Sequence, residues 1–195
     1  MANGIQNPEF SFLDNAAHVV APRLLGCYIE RAIHGKKLIA KIVETEAYDQ
    51  DDVASHSYRG ETERTRVMFG KAGHLYVYFT YGMHYCCNIV TGPAGRGDAV
   101  LIRAVEPLQG QEIMAQNRRG KDGIESTNGP AKLCQALGIN KDFNGHNLSS
   151  EPLRLLVQPP LDSSNIIQTV RVGISQAKDM PWRFYSKDNP YVSKQ

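Results

Sequence analysis

Short apolar runs and period-two alternation dominate this chain, and Gly- or Pro-containing breaks separate them, so strands outnumber helices among the elements it predicts. Cys27–Ala32 and Lys37–Glu46 read as a strand pair turned at His34-Gly35. In the next pair, Leu75, Val77 and Phe79 fall on one face while Tyr76, Tyr78 and Thr80 fall on the other. Tyr81-Gly82 sits at the turn of this hairpin, with Gly82 able to take positive φ. The return strand runs through Asn88-Ile89-Val90 to the breaker Thr91-Gly92-Pro93. Asp98–Glu106 is a strand built on Ala99-Val100-Leu101-Ile102, and Leu153–Val157, Thr169–Ile174 and Arg183–Tyr185 are shorter ones. Helices are predicted over Asp14–Leu25, Gln109–Arg118 and Pro130–Leu137. The first is capped by Asp14 or Asn15, ended by Gly26 and kinked at Pro22; the last has proline at its start and Gly138 at its end. Residues 49–71 lack apolar periodicity and read as a long loop of the kind that carries function. Many strands and few helices, without βαβ alternation, give an α+β fold. It is expected as one domain over residues 1–195, with a mainly antiparallel curved β-sheet flanked by helices and a protruding β-hairpin.

Composition narrows the setting. A hydrophobic fraction of 42% in 195 residues suits one proper core. No apolar run approaches the roughly 20 residues that span a bilayer, and Met1–Pro8 lacks the basic and apolar regions of a secretion signal. The expectation is an intracellular, cytoplasmic protein without a membrane partner. Of the four cysteines, Cys86 and Cys87 are adjacent and Cys27 and Cys134 stand alone, which suits reduced, partly buried side chains. There is no Cys-x-x-Cys and no His pair at metal spacing, so no zinc site is predicted.

Charge is unevenly placed. Residues 1–56 hold Arg23, Arg31, Lys36, Lys37 and Lys41 against eight acids, a balance of −3, and the remainder therefore carries +5 of the net +2. Basic residues group at Arg59, Arg64, Arg66 and Lys71, at Arg118, Arg119 and Lys121, and at Lys178, Arg183, Lys187 and Lys194. These groups either converge on one face suited to a phosphate backbone or form a solvated mixed surface.

The candidate chemistry concentrates in Val43-Glu44-Thr45-Glu46-Ala47-Tyr48 and in His56, eight residues further on. In an extended strand Glu44, Glu46 and Tyr48 share a face, and Val43, Thr45 and Ala47 take the other and can pack into the core. The acidic, aromatic face either meets water or lines a cleft; in a cleft, a carboxylate beside aromatic rings is a candidate general base. Arg103 follows a strongly apolar strand. It is either a surface residue at the strand's end or a charge partner reaching into a cleft, because a buried arginine needs a paired acid. Tyr81 places a large amphipathic ring at a hairpin tip, where it either folds back onto the sheet or wedges into a stack of bases.

Taken together, these segments resemble the alkyladenine (3-methyladenine) DNA glycosylase family, in a compact, bacterial-type form. The resemblance is carried by Val43–Tyr48 with His56, Ser57 and Arg59, by Arg66–Phe69, and by Gly73-His74-Leu75-Tyr76-Val77-Tyr78. It continues through Tyr81-Gly82-Met83 with Cys86 and Asn88, Ala99–Pro107, Gly129–Ile139, Arg171-Val172-Gly173 and Arg183-Phe184-Tyr185. These stretches span nearly the whole chain in order. The loop Thr91–Asp98, the segment Arg118–Asn128, and His84-Tyr85 with Cys87 depart from the family pattern, which bears on lesion preference more than on the reaction.

The resemblance implies a DNA-repair enzyme that flips an alkylated or deaminated purine out of duplex DNA and hydrolyses its N-glycosidic bond, the first step of base excision repair. By position, Glu46 matches the general base. Arg103 and the backbone carbonyl of Val172 match the groups that help hold the attacking water. Tyr48, His56 and Tyr78 match the walls around the flipped base, Asn88 the residue that meets the 2-amino group of normal guanine, and Tyr81 the residue that fills the gap in the duplex. A carboxylate beside an oxocarbenium-like state stabilises the sugar cation and orients water. A base alkylated at N3 or N7 is cationic and gains roughly 0.5–2 kcal/mol between aromatic rings. Lys132, in Gly129–Ile139, is the one lysine in the matched motifs, and none lies in those that match the catalytic and base-binding residues, so the resemblance implies hydrolysis without a Schiff base or strand cleavage, no cofactor, and a monomer acting on double-stranded DNA. Three other readings compete: a damage-binding protein without catalysis, a metal-dependent hydrolase using Glu46, Asp52 and His56, and an N-glycosidase acting on RNA or nucleosides.

Overall fold

The computed structural model describes residues 8–80 and 82–194 of the chain. Eight strands form one curled antiparallel sheet: β1 (Tyr28–Ile33), β2 (Lys36–Tyr48), β3 (Leu75–Thr80), β4 (His84–Thr91), β5 (Asp98–Gln109), β6 (Leu153–Leu156), β7 (Ile166–Thr169) and β8 (Arg183–Ser186). The main order is β3-β4-β5-β2-β1-β6, and β8 pairs with both β2 and β7. Three seven-residue helices accompany the sheet: α1 (Ala17–Arg23), α2 (Gln111–Asn117) and α3 (Pro130–Ala136). The α+β class read from the sequence is the class observed.

β2 organises the sheet because it is long enough, at thirteen residues, to serve two partners on one edge. Its first half pairs with β1, from Lys36↔Ile33 to Lys41↔Tyr28. Its second half pairs with β8 at Glu44↔Tyr185, Thr45↔Phe184 and Glu46↔Arg183. β5 runs along the other edge, but the register shifts: Ile42 faces Val105, Glu44 faces Ala104 and Thr45 faces Ile102. Val43 on β2 and Arg103 on β5 are therefore left without a register partner. Such bulges bend a strand and re-aim its side chains, and here one falls on each strand beside the carboxylates.

The core lies between the sheet and the helices, where Ala17, Val20 and Ala21 of α1 and Leu133, Cys134 and Ala136 of α3 are buried with Leu38, Ile42, Ile89, Val100 and Ile102. Thr45, on the core-facing side of β2, is buried and donates its hydroxyl to Ala21 O at 2.9 Å. A separate small cluster of Met68, Tyr76, Val90 and Ala99, with Val67, Phe69 and Tyr78 packed on it, floors the cavity described below. All four cysteines are free and buried. Among the described residues no helix is long and apolar enough to cross a membrane.

Several boundaries differ from the sequence reading. The expected helix over residues 14–25 is split: Pro8–Asp14 is a 3-10 helix, and α1 begins after Ala16, which makes no side-chain cap. Pro22 sits one residue from the end of α1, where its missing N–H limits extension rather than kinking an interior. Thr169–Ile174 is not a strand: β7 ends at Thr169 and the following residues form an irregular loop. Period two was too weak a signal there, because that segment turns toward β2 instead of continuing a ladder. β5 extends to Gln109, carrying Pro107 near its end, so Arg103 lies mid-strand rather than at the point where the strand emerges.

Candidate active site

The carboxylate face of β2 meets β5 and the C-terminal segment in a dense set of charges. Glu44 and Glu46 are both completely buried, which the sequence alone left open. Glu44 is saturated: Oε1 accepts from Arg183 Nε at 2.7 Å, Ser193 Oγ at 3.0 Å and Arg103 Nε at 3.2 Å, and Oε2 accepts from Ser193 N at 2.7 Å. Arg183 also donates to the Lys194 carbonyl. Its place in the expected C-terminal basic group is therefore corrected: it is a buried structural partner of Glu44, since a fully desolvated carboxylate requires paired charge.

Glu46 has different company. Oε2 accepts from the Tyr48 hydroxyl at 2.9 Å and from Arg103 Nη1 at 3.2 Å, and Oε1 accepts from the Val172 backbone N–H at 2.7 Å. Arg103 Nη1 also donates to the Val172 carbonyl at 3.4 Å. One guanidinium thus spans both carboxylates and the loop carbonyl, with Nη2 donating to Ser193 Oγ at 3.4 Å. Burial works against the Arg103 charge, but Glu46 and Glu44 outweigh it and push its pKa up. Burial, and then the negative Glu46 beside it, raise the Tyr48 phenol far above its ordinary value, so Tyr48 acts as a neutral donor. Sequence spacing alone could not bring Glu46, Arg103 and Val172 together; the paired bulges and the return of the chain at 171–183 do so.

Next to this set lies a cavity of about 270 Å³. Tyr48, His56, Tyr78 and Asn88, all singled out from the sequence, line it together with Tyr76 and Val172. Glu46 and Arg103 are not among its lining residues; they stand behind Tyr48 and Val172. His56 is brought to the cavity by the 49–71 loop, which is pinned to the β4–β5 connection. Ser57 Oγ donates to Gly97 O at 2.5 Å, and Gln50 Oε1 accepts from Gly97 N at 2.9 Å. Gly97 is required there, since a Cβ would stand 2.5 Å from Ser57 Cβ.

The aromatic wall is ordered by ring contacts. His56 meets Tyr78 edge-on at 4.6 Å, Tyr76 and Tyr78 stack at 5.7 Å, and the Tyr76 hydroxyl and His56 Nδ1 are hydrogen-bonded at 3.1 Å. His56 keeps part of its surface in solvent. Even so, the protein packed around its ring, and secondarily Arg64, push its pKa down to about 4, so the imidazole is neutral near pH 7. Arg64 also lies over the Tyr78 ring at 5.8 Å. Asn88 is buried and donates from Nδ2 to the Tyr76 carbonyl at 3.2 Å. Tyr76, whose role the sequence did not define, is thus part of the wall and of the core beneath it.

The hairpin separates this cavity from a second, basic cleft. Thr80 and Cys86 face the aromatic cavity, while Met83, His84 and Tyr85 border a cleft with Arg118, Arg119 and Lys121; α3 borders both, through Pro130 on one side and Ala131 on the other. Gly82, near the tip, has φ +67°, as the turn demanded. Tyr81, the residue assigned to fill the duplex, lies outside the described residues. Asp52 and Arg171 were missed as a pair. They form a fully buried ion pair, and Arg171 lies over the Tyr48 ring at 4.7 Å; the only sequence signal was Arg171 standing beside Val172. Glu46, Asp52 and His56 each have separate partners, and among the described residues no group of three or more His, Cys, Asp or Glu side chains is placed to hold a metal ion.

A buried carboxylate–guanidinium pair thus stands beside an aromatic cavity, on a curled antiparallel sheet with a projecting hairpin. The family model for Methylpurine-DNA glycosylase (MPG) matches residues 11–190, and the chain belongs to that family. It is 53% identical over 177 residues to a Carboxydothermus hydrogenoformans protein named "Putative 3-methyladenine DNA glycosylase", covering 90% of this chain and 93% of the relative. Proteins of the same name from Methanoculleus marisnigri and Francisella tularensis subsp. tularensis are 48% identical (94% of this chain, 97% of the relative) and 52% identical (89% and 92%). Membership makes this chain a DNA-repair hydrolase acting on alkylated bases.

Proposed function

We propose that the protein flips alkylated purines, and deaminated ones, out of duplex DNA into the aromatic cavity and cleaves the glycosidic bond by metal-free hydrolysis, leaving an abasic site. The observation that carries this reading is the bridge from Arg103 Nη1 to both Glu46 Oε2 and Val172 O at the edge of that cavity. A water that donates one proton to the Glu46 carboxylate and the other to the Val172 carbonyl keeps a lone pair free for C1′. Glu46 takes the proton as the C1′–O bond forms, and its charge stabilises the oxocarbenium-like state as the bond to the base breaks. Arg103 fixes both acceptors. Tyr48, His56 and Tyr78 hold the base, and a neutral His56 adds no charge to repel an alkylated, cationic ring. Asn88 stands where the exocyclic amine of guanine would enter and so excludes the normal base. Tyr81 takes the emptied place in the duplex. The cleft with Arg118, Arg119 and Lys121 beside the hairpin supports a phosphate contact flanking the lesion. Among the described residues no lysine borders the cavity, which favours hydrolysis without lyase chemistry, and the protein acts as a monomer.

The test uses labelled duplexes bearing one 7-methylguanine, hypoxanthine or ethenoadenine, incubated in EDTA and then treated with alkali. Alkali-dependent strand breaks by wild type, lost in Glu46→Gln, are expected. Strand cleavage before alkali, or a complex trapped by borohydride, would overturn the monofunctional assignment. Binding without any base release would leave a damage-binding protein.

A further inference from the structure

Arg171 is buried but forms no part of the cavity wall. Its guanidinium lies over the Tyr48 ring at 4.7 Å and over the Trp182 ring at 5.5 Å, while Tyr48 itself lines the cavity, so the cation stands behind the ring that would touch the base. Asp52 is its charge partner, and the two side chains are 1% and 0% exposed. Arg171 Nη1 also donates to the Ala47 carbonyl at 2.9 Å, and Nη2 to the Ala177 carbonyl at 3.3 Å. Neither residue is needed for the hydrolytic steps derived above, and burying a charge pair against an aromatic ring is costly unless it serves some end.

We propose that Asp52 preserves the cavity's preference for positively charged over neutral bases by cancelling Arg171, a cation that would otherwise stand uncompensated behind Tyr48. This rests on the glycosylase reading and extends it to substrate class. The face of a tyrosine attracts a cation through the ring quadrupole. A second cation on the opposite face opposes that attraction, and a base stacked on Tyr48 would lie on the order of 8 Å from the guanidinium, close enough for an uncompensated charge to matter in a dry site. With Asp52 in place the pair is neutral at that distance and behaves as a small dipole. Glu46 and Arg103, the other charges next to Tyr48, are paired with each other, and Arg64 lies over Tyr78 and is common to every variant, so at Tyr48 the balance that substitution can tip is that of Asp52 and Arg171. Both are positioning residues, acting on the base through Tyr48.

The sign of the effect provides the test. Two duplexes carry 7-methylguanine, a cation, or its neutral 7-deaza isostere, each as a 2′-fluoro nucleotide that resists cleavage, and their Kd values are measured by fluorescence anisotropy. Wild type is expected to favour the cation. Asp52→Asn, which leaves Arg171 uncompensated, should lower that preference on the order of tenfold. Arg171→Gln, which leaves Asp52 uncompensated, should raise it by a similar factor, and the double variant should return to the wild-type ratio. A purely structural role would weaken both duplexes together and leave the ratio unchanged, and that result would sink the proposal while leaving the glycosylase reading intact. If Asp52→Asn fails to fold, Arg171→Gln still decides, because its ratio should rise and the added Asp52→Asn change should bring it back to the wild-type value. A wild type that binds neither modified duplex better than an unmodified one would remove the reading beneath the proposal, and the proposal with it.

Discussion

The cavity has two walls built on different principles. On one side, β2 and the C-terminal segment supply Tyr48 and Val172, and behind them stand Glu46, Arg103, Glu44 and Arg183, with every carboxylate oxygen of the two glutamates hydrogen-bonded. On the other, the 49–71 loop and the hairpin supply His56, Tyr76, Tyr78 and Asn88, joined by ring contacts and a few hydrogen bonds, with His56 partly in solvent. The first wall is rigid because desolvated charges cannot be left unpaired. The second holds its shape by apolar packing, which tolerates a guest. In the proposed reaction, chemistry needs fixed charges and capture of a flat base needs exposed rings, and the two kinds of wall would divide these tasks.

The contrast is broken most severely at the glutamates. Glu46→Gln keeps the shape and most hydrogen bonds but removes the proposed base, and is expected to slow excision roughly 10²–10⁴-fold in single-turnover assays, with a melting temperature near that of wild type. Glu44→Ala should do the reverse. It leaves Arg183 buried without its carboxylate and Arg103 with only Glu46, and is expected to cost about 3–5 kcal/mol of stability, a fall in Tm on the order of 10 °C by calorimetry. If the Glu44 variant melted normally yet lost catalysis, the division between a structural and a chemical carboxylate would be wrong.

Substitution of the aromatic wall should show in binding. Tyr78→Ala is expected to weaken affinity for a duplex with an uncleavable alkylpurine roughly 10–100-fold, while affinity for undamaged duplex stays nearly constant. Equal loss on both duplexes would show that Tyr78 holds the fold rather than the base. The basic cleft should act on every duplex alike: Arg119→Ala and Lys121→Ala are each expected to reduce the slope of log K against log salt by about 1, without changing the ratio of damaged to undamaged DNA. A constant slope would place the backbone elsewhere.

The smallest effect concerns His56. Its folded pKa of about 4 lies below the ordinary value of 6.5. The unfolded chain therefore binds the proton more readily, and stability falls as pH drops from about 6.5 toward 4, with the full contribution present above that window. His56→Gln should flatten the Tm profile over this range relative to wild type. An unchanged difference curve would mean that the ring is better hydrated than its neighbours suggest.

The amino-acid sequence by itself determined the strand pair turned at His34-Gly35, the tyrosine hairpin, the strand beginning at Asp98, and α3 with proline at its start. These follow from local period, turn chemistry and caps, which act over a few residues. It also marked Glu46, Tyr48, His56, Tyr78, Asn88, Arg103 and Val172. What it could not determine was how two glutamates, two residues apart on one strand, divide their buried partners. That depended on Val43 and Arg103 losing their register partners, on Arg183 and Ser193 returning from the far end of the chain to saturate Glu44, and on Arg171 turning inward to Asp52 beneath Tyr48. Only the tertiary structure decides such pairings, because a desolvated charge selects its partner by proximity in space and not by separation along the chain.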